Sequence, residues 1–122
     1  MQPDGSVAPQ TGHGTADAAL LDEFCDQVWL EDGLAKATLE SYRRDLRLFS
    51  EWLARRDGDL LSVRETDVLR YLEFRHGGGG TSLRASSQAR LHSSLKRFYQ
   101  FALRGNRIGR DPTLNLDRPK QA

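Results

Sequence analysis

The sequence predicts an all-α protein, a compact bundle of four main helices with a flexible N-terminal tail and a C-terminal linker. Three observations predict it. Four segments carry apolar residues at steps of three and four, the spacing that gathers them on one side of an α-helix. No segment sustains the period-two alternation of a half-buried strand, and no hairpin dipeptide separates two apolar runs. The connections between the four segments are short, as in bundles of neighbouring helices.

The chain opens with MQPDGSVAPQTGHGTA, which is rich in Gly, Pro, Ser and Thr and almost without large apolar side chains. Burial cannot offset the entropy of ordering such a segment, so 1–16 is expected to be a disordered tail, with His13 solvated. The first helix is expected over 17–31. Leu20, Leu21, Phe24 and Val28 share a face, and Gly33 is a stop signal. Trp29 and Leu30 lie off that face and are expected against a loop or another surface. The second helix is expected over 38–56, with Thr38 as N-cap and Leu39, Tyr42, Leu46, Phe49 and Leu53 inward. The third is expected over 67–74 behind Thr66 as cap, with Val68, Leu69 and Leu72 inward. Four consecutive glycines at 77–80 then predict a flexible loop. The fourth helix is expected over 86–104, with Leu91, Leu95, Phe98 and Ala102 inward. DPTLNL reads as one capped turn with Asp111 at the N-cap and Pro112 in the first helical position. DRPK reads as an extended linker. The expected organisation is therefore a tail at 1–16, a helical domain at 17–110, and a short turn and linker at 111–122.

Net charge is +1, but its distribution is uneven. Up to Glu73 there are 15 acidic against 8 basic residues, whereas 74–110 holds 8 basic residues and no acid. At about 100° per residue, Ser86, Arg90, Ser93, Arg97, Gln100 and Arg104 gather opposite the apolar face of the fourth helix. Arginine, serine and glutamine are groups that contact phosphates and base edges. Solvated helix faces ordinarily mix signs, and this one does not. A nucleic acid is the expected partner, with an acidic protein surface and plain solvation as alternatives.

Other function classes lack their signatures. There is no HExxH, CxxC, GxSxG or phosphate-loop pattern. His13, His76 and His92 have no cysteine or acid placed to complete a site, and Cys25 is the sole cysteine. One thiol forms neither an internal disulfide nor a metal site, so Cys25 is expected to pack as a small hydrophobe. Tyr42, Tyr71 and Tyr99 sit within apolar patterns and read as core or half-core residues. No catalytic residue, metal or cofactor is expected. No apolar run approaches the roughly 20 residues of a membrane span. The N-terminus lacks the pattern of a signal peptide. A cytoplasmic location without membrane attachment is expected.

Two blocks carry a resemblance. In LAKATLESYRRDLRLFSEWL the pattern residues are Ala35, Thr38, Leu39, Tyr42, Arg43, Arg44, Asp45, Leu46 and Phe49. In SSQARLHSSLKRFYQFALRGNRIGRDPTLNLDRPK they are Ser86, Ala89, Arg90, Leu91, Arg97, Phe98, Tyr99, Phe101, Asp111, Pro112, Leu116, Pro119 and Lys120. In order and spacing these blocks resemble the N-terminal core-binding, SAM-like domain of tyrosine recombinases, the phage-integrase family, nearest its XerC/XerD branch. The resemblance covers about 17–120. The tail is longer than is usual in the family, His92 stands where an aliphatic residue is more usual, and Ser94 where alanine is. The Arg-His-Arg set and nucleophilic tyrosine of the family's catalytic domain do not occur. The chain is therefore expected to be a fragment of a recombinase rather than a module encoded alone.

The resemblance implies a domain that clamps one face of duplex recombination-site DNA through helices two and four. Other recombinase protomers would be neighbours on the DNA, and the isolated domain a monomer. It implies DNA contacts by Lys36, Thr38, Ser41, Arg43 and Arg44 from the second helix, and by Ser86, Ser87, Arg90, Ser93 and Arg97 from the fourth. Ser86 and Ser87 lie near a helix N-terminus, which favours phosphate, and Arg90 is the candidate for bidentate guanine reading. Competing roles remain: Thr38 or Ser86 as caps, Arg43 paired with Glu40 or Asp45, Ser93 as an exposed filler, Arg97 as a solvated charge. The alternative function is a helical protein-interaction module, in which the acidic first helix and basic fourth helix mediate assembly.

Overall fold

The computed structural model describes residues 11–78 and 84–116, which fall into two compact units dividing after Leu60. The described residues are all-α, with α1 at Thr11–Asp32, α2 at Lys36–Ala54, α3 at Glu65–Glu73 and α4 at Ala85–Arg104. A 3-10 turn, Leu60–Ser62, precedes α3 and a π-helical turn, Phe74–Gly78, follows it. No strand occurs among the described residues.

In the first unit α1 packs against α2. Leu20, Leu21, Phe24, Cys25 and Val28 of α1 are buried, as are Tyr42, Leu46, Phe49, Trp52 and Leu53 of α2. The turn between the helices depends on Gly33, whose φ of +61° suits a residue without Cβ, and whose N–H donates to Trp29 O at 3.1 Å. Helix α1 begins six residues before its expected start, so 11–16 belong to it rather than to a tail; residues 1–10 lie outside the described part. Asp17 thereby sits within a helix, and its buried carboxylate accepts from Ser50 Oγ at 2.5 Å and from the Leu60 N–H at 3.3 Å. With that anchor in place, extending the helix backward adds one hydrogen bond per residue without a new nucleation cost. Trp29 and Leu30 are exposed, so of the two expected covers the following loop is not the one used.

Helix α2 opens at Lys36 behind Ala35, with no side-chain cap, so Thr38 is its third residue rather than its cap. Alanine and lysine favour helix and carry the start back toward the Gly33 turn. Leu39, near that end, is half-buried rather than core.

In the second unit, Arg64 rather than Thr66 stands at the start of α3, and its N–H donates to Asp67 Oδ2 at 2.9 Å. A carboxylate in the first turn also suits the helix dipole. Val68, Tyr71 and Leu72 are buried, while Leu69 is exposed, a correction to its inward assignment. The buried trio sits at i, i+3 and i+4; Leu69 is rotated about 100° from Val68. Gly77 and Gly78 complete the π-helical turn, and the remainder of the four-glycine segment lies outside the described residues.

Helix α4 begins at Ala85 and buries Leu91, His92, Ser94, Leu95, Phe98, Tyr99, Phe101 and Ala102. Phe98 meets the Tyr99 ring edge-on at 4.9 Å. The two departures from the family pattern are both accommodated inside. Ser94 Oγ donates to Leu91 O at 2.9 Å, and the His92 ring stacks on His76 at 5.7 Å. After Gly105 the chain forms the expected capped turn, in which Asp111 Oδ1 accepts from Thr113 N at 2.8 Å and Thr113 Oγ1 at 2.6 Å. The expected linker, DRPK, lies outside the described residues.

Candidate nucleic-acid interface

The polar side of α4 follows directly from its core side. With Leu91, Leu95, Phe98 and Ala102 committed inward, Ser86, Arg90, Ser93, Arg97, Gln100 and Arg104 fall within an arc of about 80° along about 27 Å of helix. Ser86, Ser93, Gln100 and Arg104 are exposed, and Arg90 and Arg97 are half-buried. Ser87 is half-buried, about 100° from Ser86 around the axis. Ser86 and Ser87 are the second and third residues of the helix, and no side chain caps its start. First-turn amides without a side-chain acceptor are groups that favour an anion.

Of the eight cations between residues 74 and 110, Arg75, Lys96 and Arg107 make contacts inside their own unit. The Arg75 guanidinium lies 6.0 Å from the Tyr71 ring, and Arg107 lies 5.0 Å from Phe101. Lys96 Nζ donates to Thr113 O at 2.9 Å. Arg84, Arg104 and Arg110 are exposed. Gln100 and Arg104 extend the stripe beyond the five α4 residues implied by the resemblance; their continued spacing of three and four was the available signal.

The α2 candidates do not share one face. Lys36 and Arg44 are exposed, whereas Thr38, Ser41 and Arg43 are half-buried. Two positions apart, Ser41 and Arg43 stand about 160° apart around the axis. Arg43 donates to Asp22 of α1, neither Glu40 nor Asp45 being its partner. That hydrogen bond holds the guanidinium's pKa above its ordinary value. The outward side of α2 is mixed in sign: Glu40 is exposed, and Arg47 bonds Glu51 at 3.0 Å. Electrostatically α4 is the stronger of the two candidate elements.

Two concavities accompany these surfaces. One of about 270 Å³ lies in the first unit beside Asp17, Asp22, Arg43 and Ser50. One of about 490 Å³ lies in the second unit between Val63–Glu65 and the turn that holds Asp111, Pro112 and Leu114. Among the described residues no three His, Cys, Asp or Glu side chains are grouped to hold a metal ion. No described helix is long and apolar enough to cross a membrane.

The family model for the phage integrase N-terminal SAM-like domain matches residues 21–106. The tyrosine recombinase XerD of Ralstonia nicotianae is 45% identical over 101 residues, which are 83% of this chain and 32% of that protein. The tyrosine recombinase XerD of Pseudomonas aeruginosa is 41% identical over 106 residues, 87% of this chain and 35% of that protein. That of Yersinia pestis is 39% identical over 104 residues, 85% and 34% respectively. The chain thus spans about a third of the length of the curated relatives it matches.

Proposed function

Because the chain belongs to the phage-integrase N-terminal SAM-like domain family, we propose that it is the core-binding, duplex-binding domain of a site-specific tyrosine recombinase, holding recombination-site DNA through α2 and α4. The observation that carries this reading is the polar face of α4, which has serines and arginines at helical spacing and no carboxylate from residue 74 to 110. A major groove about 12 Å wide admits one α-helix. In this reading Ser86 and Ser87 bind phosphate at the helix start, Arg90 reads a base edge, and Ser93 and Arg97 hold the backbone, with Gln100 and Arg104 extending the contact. From α2, Lys36 and Arg44 supply charge and Thr38 and Ser41 supply hydroxyl groups; Arg43, held by Asp22, contributes least. Strand cleavage belongs to the part of the recombinase outside this chain, which itself is not an enzyme. The setting is the cytoplasm, where such DNA resides.

A second, compatible role is contact with neighbouring protomers. It is favoured by Trp29, 53% exposed among Asp26, Glu31 and Asp32 at the end of α1.

Chemical-shift mapping with a duplex at low salt tests the DNA reading. Perturbations are expected over 36–44 and 86–104. Perturbations confined to the acidic α1, or none at all, refute it. Arg97→Ala, as a phosphate contact, weakens all duplexes about equally. Arg90→Ala costs roughly 1–3 kcal/mol and relaxes preference at one position.

A further inference from the structure

Lys96 lies in the most basic part of the chain, next to Arg97, yet its ammonium points at the protein's own backbone. Its side chain is half-buried on the flank of the α4 stripe, about 80° from Ser86 around the axis. The target, Thr113, is wholly buried, and every polar group it has is satisfied. Its N–H and hydroxyl both donate to Asp111 Oδ1, at 2.8 Å and 2.6 Å, and its carbonyl accepts from Lys96 Nζ at 2.9 Å and the Leu116 N–H at 3.0 Å. The neighbouring Pro112 is buried as well. A surface lysine ordinarily stays solvated, because fixing its long side chain costs rotamer entropy. A charge-assisted bond to a buried carbonyl is the compensation here.

We propose that Lys96 is a positioning residue rather than a DNA-binding cation: it latches the 111–116 turn to α4 and fixes the course the chain takes on leaving the helix. Asp111 shapes the turn from within, and Lys96 fastens it to the helix from outside. The turn also walls the 490 Å³ cleft against Val63–Glu65, so a seated turn keeps that cleft formed. For a recombinase, a consequence that rests on the function proposed above, the latch sets the direction in which the following chain departs beside the DNA-facing helix. The latch itself does not depend on that reading.

The test is NMR spectroscopy of the 122-residue chain without DNA, as wild type, Lys96→Met and Lys96→Arg. Methionine keeps most of the apolar stem and removes the ammonium; arginine restores a cationic donor. In Lys96→Met the heteronuclear NOE should fall over 113–116, and exchange of the Leu114 and Leu116 amides should accelerate about tenfold. The Leu95 and Phe98 amides should be unchanged, and Lys96→Arg should recover most of the turn's order. An unchanged turn, loss of protection running through α4, or no recovery with arginine overturns the proposal. In the wild type the Lys96 ammonium protons should exchange slowly with water, a measurement that needs no variant; rapid averaging with solvent overturns it equally. With duplex added, Lys96→Met should keep its affinity within about twofold, since the ammonium is already engaged, and a loss as large as that of Arg97→Ala overturns the proposal. If no form binds duplex, the DNA reading fails while the turn measurements still decide the latch.

Discussion

A carboxylate that is 4% exposed needs compensation, and Asp17 finds it in the Ser50 hydroxyl and the Leu60 amide. Asp17→Ala leaves both donors without that acceptor and should destabilise the protein by roughly 1–3 kcal/mol in urea titration, with Asp17→Asn losing less because it keeps an acceptor oxygen. An unchanged midpoint for the alanine variant would refute the anchor. The Arg43–Asp22 pair differs because its side chains are 41% and 67% exposed, so solvent and salt screen it; Arg43→Ala should cost less than about 1 kcal/mol. Cys25 illustrates burial acting on a titratable group. Desolvation pushes its thiol up, and the nearby Arg43 only partly opposes this. A raised thiol pKa contributes stability below the unfolded-state value and loses it as pH rises through the folded value, so the contribution holds at neutral pH and fades on the alkaline side. Native protein should therefore react slowly with a thiol reagent at neutral pH, and denatured protein quickly.

At the scale of helices, the core faces are where sequence and structure agree best. Leu46 and Leu95 are fully buried in α2 and α4, and cutting either to alanine should cost roughly 2–5 kcal/mol. Thermal melts unmoved by both substitutions would mean that the core lies elsewhere. Such faces were legible because burial repeats with the helical period; the inward assignments that failed are Leu69, which is off that period, and Leu39, which is half-buried near the start of α2. Helix starts were less legible. Thr38 and Thr66 have the residue type of caps, but α2 and α3 begin earlier, behind Ala35 and Arg64. The candidate site divides the same way. The stripe of α4 follows from local spacing, whereas the partner of Arg43 is 21 residues away and that of Lys96 is 17 away, distances that helical periodicity does not reach. The contrast between the helices is itself testable: substituting Arg90 and Arg97 together should weaken duplex binding more than substituting Lys36 and Arg44, because the outward side of α2 also carries Glu40 and Glu51.

Over the whole molecule, charge is segregated along the sequence: 15 acids lie before residue 74, and the stretch from there to residue 110 holds 8 cations and no acid. A nearly neutral protein then carries a strongly local field, and its binding to a polyanion should depend on salt far more than its net charge implies. Duplex affinity should fall linearly on a log–log plot against salt, by about 0.9 for each phosphate neutralised, and Arg97→Ala should reduce the slope by roughly 1. A flat salt dependence would remove the electrostatic basis of the reading.

Both tryptophans lie in the first unit, Trp52 buried beside Phe49 with Arg56 4.3 Å over its ring, and Trp29 open to solvent. Emission excited selectively through tryptophan therefore watches only the chain up to Leu60. Acrylamide should quench its red-shifted Trp29 component first, leaving a blue-shifted Trp52 signal that follows the unfolding of α1 and α2. The second unit, with α4 and its cationic stripe, holds tyrosine and phenylalanine but no tryptophan and is dark to this probe. Circular dichroism reports every helix and tryptophan emission only the first unit, so a gap between their midpoints in one melt measures how far α3 and α4 unfold apart from α1 and α2.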